Sequence, residues 1–205
     1  MRKTANMSIL VFIGVVAFIF SLYFDSNVNL FFKNLGLHVL DFILIIITNF
    51  AFVSFVILLI PSIIFYKELK KLRLFWIAFI SSVILSFIIK IIVSRQRPAE
   101  MLSYPFIGGL SYSFPSMHAM AVFSALPLLA YFLPKQKNLW ILFAFLVAFT
   151  RIYFGFHFLS DVVFGAFAGY LIGLSILELH YSGKLWKSII LSGTGSFSIF
   201  FLGFL

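Results

Sequence analysis

The stretch LFWIAFISSVILSFIIKIIV, Leu74 to Val93, sets twenty residues in a row with a single charge among them, Lys90. A helix needs about 20 mostly apolar residues to cross the roughly 30 Å hydrocarbon core of a bilayer, and this run has that length. Working outward, the pattern recurs. Upstream lie Met7–Phe24 and about Val39–Tyr66, the second with Asp41 near its start and Pro61 near its end. Downstream, a polar stretch bearing Pro and Gly runs from Ser94 to Pro115. Further spans then cover about Ser116–Leu133, Leu139–Phe156 and Asp161–Leu179. The sequence therefore predicts an all-α integral membrane six-helix bundle, with residues 1–205 as a single transmembrane domain. A last apolar stretch, Ile189–Leu205, is interrupted by Gly193, Thr194 and Gly195, and is a candidate seventh span or an interfacial helix.

Composition agrees. Of the 205 residues 63% are hydrophobic and 10% charged, and the mean hydropathy is +1.15. Soluble domains run near 45–50% apolar and about 25% charged, so this chain needs a non-aqueous solvent. So apolar a chain has ample surface to bury, which excludes disorder. The lack of Cys excludes a disulfide scaffold, thiolate metal sites and Cys nucleophiles. Arg2 and Lys3 before the first span resemble a signal peptide, but the apolar stretch is long and no small-x-small site precedes Asp25. A retained anchor is expected.

The formal net charge of +9 would raise the question of nucleic acid in a soluble protein. Here the basic residues sit between apolar runs, so topology is the better explanation and no nucleic-acid partner is expected. Across six alternating spans one side holds Arg2, Lys3, Lys67, Lys70, Lys71, Arg73, Lys135, Lys137, Lys184 and Lys187. The other holds Lys33, Lys90, Arg95, Arg97 and Arg151. The richer side should be cytoplasmic, and the N-terminus with it. Four of the five contrary cations lie within or beside apolar spans, where a cation costs several kcal/mol unless paired or bound to an anion. Asp25, Asp41, Glu100 and Asp161 are too few to neutralise them, which points to an anionic ligand. Gly165, Gly169 and Gly173, at four-residue spacing in the sixth span, read as a helix-packing stripe.

Three constellations could carry chemistry. Lys90 and Arg97 are seven apart; if the helix continues to Arg97, both project from one face about 10 Å apart along the axis. Their long stems could converge, although two snorkelling anchors would look the same. Ser113-Phe114-Pro115-Ser116-Met117-His118 opens the fourth span. Helix N-termini favour Pro in the first turn and bind anions; Ser116 adds a hydroxyl and His118 a proton carrier. An N-cap serine beside an interfacial histidine is the plainer alternative. In the run Thr150 to Asp161, His157 and Asp161 share a face if the helix is continuous. Gly155 and Ser160 would also allow a turn that brings them together. Either way Asp161 could fix the tautomer of His157, or it could simply cap a helix.

Together these place Lys90, Arg97, Arg151, Ser116, His118 and His157 at one face of the membrane. The inventory suits phosphoryl transfer, in which cations and N–H donors hold the equatorial oxygens. It lacks a carboxylate cage for Mg²⁺. The ordered pattern Lys-x6-Arg-Pro, Pro-Ser-x-His and Arg-x5-His-x3-Asp resembles the type-2 phosphatidic acid phosphatase (lipid phosphate phosphatase) superfamily, with core motifs over residues 90–161.

The resemblance implies that His157 attacks phosphorus to form a phosphohistidine, with Asp161 orienting it. It implies that His118 protonates the leaving oxygen and later activates water, and that Lys90, Arg97, Ser116 and Arg151 bind the phosphate. It also implies a metal-independent and cofactor-free enzyme on the extracytoplasmic face of the cell membrane. Its substrate would be a membrane lipid phosphate or diphosphate: undecaprenyl diphosphate first, then phosphatidylglycerol phosphate or phosphatidic acid. Two positions depart from the usual pattern. Met117 stands where many relatives have Gly, a strained choice if that backbone needs a positive φ, and Thr150 stands where Ser is usual. Arg95 reads as a rim residue, and His38 and His180 as interfacial. A non-catalytic transporter or binding protein for anionic lipids is the competing class, but it has no need for His118 or the His157/Asp161 pair.

Overall fold

A computed structural model of the chain describes residues 2–35, 41–98 and 112–182. All regular structure among them is helical. The long elements are α1 (Arg2–Leu35), α5 (Leu69–Val93), α6 (Met117–Phe132), α7 (Lys137–Tyr153) and α8 (Leu159–Tyr181). Between α1 and α5 lie three short helices, α2 (Asp41–Thr48), α3 (Phe50–Ser54) and α4 (Ile60–Ile64), with a π-helical turn over Phe55–Leu59 between the last two.

Three of these helices are long and apolar enough to cross a membrane, with spans over Met7–Asn34, Leu69–Val93 and Leu159–Tyr181. Asp41–Thr48 and Phe50–Ile64 make a fourth if counted as one span bent by 60°. The chain is a multi-pass membrane protein. At 16 and 17 residues, α6 and α7 are each about 24–26 Å long. The stretch 189–205 lies outside the described residues.

The expected spans differ from the helices at instructive points. Helix α1 continues past Phe24 to Leu35 because Asp25 points inward to polar partners instead of ending the helix in water. The expected continuous second span is broken at Asn49, whose side-chain oxygen accepts from Ala51 N–H at 2.9 Å and Phe52 N–H at 3.2 Å and so restarts the helix as an N-cap. Helix α5 stops at Val93, short of Arg97. Ser94 takes φ +50°, and its N–H bonds back to the Lys90 carbonyl at 2.9 Å. Helix α6 starts at Met117 with Ser116 as N-cap, so Pro115 precedes the helix instead of lying in its first turn.

Helix α6 is the core. Ala119 through Leu129 are buried without interruption, as expected of a helix that is apolar all round and enclosed by others. Outer faces of the surrounding helices carry exposed apolar side chains, among them Phe12, Phe42, Ile92 and Phe145. The glycine stripe lets α8 lie against the backbone of α6. A Cβ at Gly165 would come within 2.7 Å of the Ser116 carbonyl oxygen, at Gly169 within 2.2 Å of that of Met120, and at Gly173 within 2.2 Å of that of Ser124. These contacts hold the N-terminus of α8 beside that of α6, which is where the site forms.

Gly14 of α1 provides a contrast, because the atoms nearest to a Cβ there belong to the ring of Phe167. Gly169→Ala should cost about 1–3 kcal/mol, since backbone cannot step aside. Gly14→Ala should cost less, because a ring can turn away. Thermal unfolding of the two variants in detergent checks the order; equal melting temperatures would refute close α6–α8 packing as the constraint.

Candidate active site

The site lies at one end of the bundle, where α5 and α7 finish and α6 and α8 begin. Asp161, the carboxylate at its centre, has no exposure to solvent. As the third residue of α8 its Oδ2 accepts the Phe158 N–H at 2.8 Å, one half of a capping box. The same oxygen accepts from Ser113 Oγ, while Oδ1 accepts from Arg95 Nη1 at 2.8 Å. Its main-chain carbonyl accepts the Ser116 N–H at 3.0 Å.

His157 stands in the connection between α7 and α8. Helix α7 ends at Tyr153, Gly155 takes φ +65°, and the His157 N–H donates to the Arg151 carbonyl at 3.1 Å. A turn, not a continuous helix, therefore brings His157 to Asp161. Nδ1 of His157 lies 3.6 Å from Asp161 Oδ2 and 3.4 Å from Ser113 Oγ. Ser113 thus sits between ring and carboxylate, a position that sequence reasoning missed. Burial first, and then the charges of Arg151, Lys90 and Arg97, hold the His157 imidazole well below the ordinary histidine range.

The cations converge from three elements. Lys90, in the last turn of α5, is buried, and its Nζ donates to the carbonyls of Tyr112 at 2.6 Å and Ser113 at 3.2 Å. Arg151 is buried at the end of α7. Its Nη1 donates to Thr48 Oγ1 at 2.6 Å and to the Thr48 carbonyl at 3.2 Å, and its guanidinium lies 4.4 Å over the ring of Phe156. Arg97 reaches the site from beyond α5, where its Nη1 donates to the Phe156 carbonyl at 3.0 Å. The shared helical face expected for Lys90 and Arg97 does not exist, because Ser94 ends the helix between them. Arg97 still lies within electrostatic range of Lys90, Arg151 and His157.

Ser116 and His118 come from the start of α6. Ser116 is fully buried, and its Oγ accepts the Ala119 N–H at 3.5 Å, so the hydroxyl caps the helix. Met117 opens α6, and Ser94 is the only non-glycine residue with positive φ among the described residues. A glycine is therefore not required at 117. The His118 ring meets Phe50 edge-on at 4.9 Å. Its Nε2 and the Nε of Arg151 are buried with no hydrogen-bond partner among the described residues, an arrangement that folded proteins rarely leave unfilled.

Arg95 is not the rim residue expected. It ties Asp161 to Asp25 of α1, whose Oδ2 accepts from Arg95 Nη2 at 2.7 Å. Among the described residues no group of three or more His, Asp or Glu could hold a metal ion. The site presents cations, two imidazoles and a hydroxyl, a set suited to holding and transferring an anionic group. His180 lies in the last turn of α8 at the opposite end of the bundle, beside Tyr181, and His38 lies outside the described residues.

The chain is 32% identical over 119 residues to phosphatidylglycerophosphatase B of Bacillus subtilis, covering 53% of this chain and 57% of that protein. It is 27% identical over 129 residues to an undecaprenyl-diphosphatase of Sulfolobus acidocaldarius, covering 60% and 62%. The matched part spans less than two thirds of either relative's length. The fold is similar to the crystal structure of a transmembrane PAP2 type phosphatidylglycerolphosphate phosphatase from Bacillus subtilis. The TM-score is 0.68 at 21% identity, covering 89% of this chain and 98% of that one. The model of the PAP2 superfamily matches residues 70–184, more than half of the chain, and the protein belongs to that superfamily.

Proposed function

We propose that the protein is a membrane phosphatase that hydrolyses the phosphate or diphosphate of a lipid carrier through a phosphohistidine. The observation that carries this reading is His157, with Nδ1 turned to Ser113 and Asp161, amid the buried Lys90 and Arg151. The other ring nitrogen, Nε2, is the nucleophile. It attacks phosphorus, a P–N bond forms, and the P–O bond to the leaving group breaks as His118 gives that oxygen a proton. His118 then takes a proton from water, which cleaves the P–N bond and releases phosphate. Lys90, Arg97, Arg151 and Ser116 hold the phosphate oxygens. Cations do the work that a divalent metal does elsewhere, so turnover needs no metal.

The substrate we favour is undecaprenyl diphosphate, with phosphatidylglycerol phosphate and phosphatidic acid next. The names of the two relatives in sequence, one acting on a glycerophospholipid and one on a polyprenyl diphosphate, support both classes. We take the single domain to cross the membrane six times: α1, the bent α2–α4 segment, α5, α6, α7 and α8. The N-terminus is then cytoplasmic and the site extracytoplasmic. The sorting of charge supports this orientation: Lys33, Lys90, Arg95, Arg97 and Arg151 share the end that holds the site, whereas Arg2, Lys3, Lys67, Lys70, Lys71, Arg73, Lys135 and Lys137 lie at the other.

The decisive experiment is a phosphate-release panel across lipid diphosphates and monophosphates with protein purified in detergent. Wild type should turn over at least one class and keep its rate after chelator treatment. His157→Ala should lose turnover by at least about a thousandfold and keep lipid binding. Unchanged release by His157→Ala would rule out His157 as the nucleophile, and no release by wild type from any lipid of the panel would leave an anionic-lipid binder.

The pH profile of turnover should be bell-shaped. Protonating His157 stops attack, and because its proton affinity is depressed, the acid limb should fall below the ordinary histidine range, about 6.5. The alkaline limb follows loss of the proton that His118 must donate. A flat profile between about pH 5 and 8 would contradict this division of roles.

A further inference from the structure

Arg95 and Asp25 touch none of the groups assigned to the phosphate, yet they form a closed polar knot directly behind the proposed nucleophile. Asp25 lies within α1 and is 5% exposed. Its Oδ1 accepts the Ser160 N–H at 2.8 Å, and its Oδ2 accepts from Ser160 Oγ at 2.6 Å and Arg95 Nη2 at 2.7 Å. The other arm of Arg95 donates to Ser160 Oγ at 2.7 Å and Asp161 Oδ1 at 2.8 Å, and the guanidinium lies 4.0 Å over the ring of Phe158. One planar fork therefore spans two carboxylates, a task that suits guanidinium better than ammonium.

From this geometry we infer that Arg95 and Asp25 are positioning residues, which fix the Asp161 carboxylate and set the charge it presents, through Ser113, to His157. The inference rests on the reading of His157 as nucleophile. Asp25, Arg95 and Asp161 together carry one net negative charge. With Arg95 neutral the knot carries two, and the imidazole beside it holds a proton more tightly. With Asp25 neutral it carries none, and the imidazole holds a proton less tightly.

Among the described residues, the other charged or titratable groups that act electrostatically with His157 are Lys90 from α5, Arg97 from the segment after it, His118 from α6 and Arg151 from α7. All of these are cationic or neutral. Asp161 is the carboxylate from α8, and α1, which packs on α8, supplies Asp25. The knot is thus the anionic counterweight to the cations that hold phosphate. Loosening of the fold would shift proton affinity in one direction whichever partner is lost. A charge relay through Asp161 demands opposite directions.

The test is the pH dependence of kcat and KM for the full chain in detergent, using whichever lipid of the panel releases phosphate fastest. Arg95→Gln should move the acid limb up by about one pH unit and lower kcat at least about tenfold, with KM within about twofold of wild type. Asp25→Asn, which keeps an acceptor oxygen, should move the limb down. Arg95→Lys should return it toward the wild-type position. Monodisperse elution is required of each variant; if Arg95→Gln fails to fold, the downward shift of Asp25→Asn decides alone. Limbs that stay at the wild-type position, or move the same way in both variants, overturn the inference while His157→Ala is inactive. Turnover by His157→Ala overturns instead the reading on which it rests.

Discussion

A carboxylate with no exposure to solvent is a severe demand on a fold, since its desolvation costs several kcal/mol unless donors fill its lone pairs. Asp161 meets it with donors drawn from separate parts of the chain: the Phe158 N–H, the Ser113 hydroxyl and the Arg95 guanidinium. Its main-chain carbonyl adds the Ser116 N–H. Satisfying this one side chain therefore docks the segment after α5 and the segment before α6 onto the start of α8. The positions of Lys90, held by the Ser113 carbonyl, and of His157, held between Ser113 and Asp161, follow from that docking.

Charge is sorted with the same logic. Two buried carboxylates beside the site, Asp25 and Asp161, bind Arg95. The hydrogen bonds of Lys90 and Arg151 go to carbonyl oxygens and the Thr48 hydroxyl, which are dipoles without net charge. Dipoles fix the direction of a cation but leave its field intact. In a low-dielectric setting that field acts strongly on any anion that arrives. Had Asp161 paired with Lys90 or Arg151 instead, the same residues would have made a self-neutralised core. Arg95 prevents this by occupying Asp25 and Asp161.

Much of the architecture could be read from apolar runs, because a membrane helix is defined by composition over some twenty positions. The site residues were legible for a related reason: Pro115-Ser116-Met117-His118 and Arg151 to Asp161 are compact local patterns. Asp25, Arg95 and Ser113 were not. Arg95 bonds to partners 70 and 66 residues away in sequence, and Ser113 to one 48 away. No periodicity connects positions so distant. Arg95 and Arg97 look alike in the sequence, and both lie beyond the left-handed turn at Ser94 that ends α5. The break at Asn49 did leave a signal. Thr48 and Asn49 are the only two adjacent polar residues inside the apolar run from Val39 to Tyr66, and Asn is a strong N-cap.

That break also explains how an arginine can be buried at the end of α7. In an uninterrupted helix the Phe52 N–H would bond to the Thr48 carbonyl four residues before it. Here it bonds to the Asn49 side chain, and the released Thr48 carbonyl accepts from Arg151 instead. The Thr48 hydroxyl completes the pair. A similar exchange occurs at the end of α7, where the Arg151 carbonyl accepts the His157 N–H across the turn at Gly155. Irregular backbone at membrane depth is tolerated only where protein or a polar cavity covers it. The two interruptions meet at Arg151, whose side chain uses the carbonyl freed by one and whose own carbonyl anchors the other. Each break in a helix thus supplies the acceptor or the turn that a functional side chain requires.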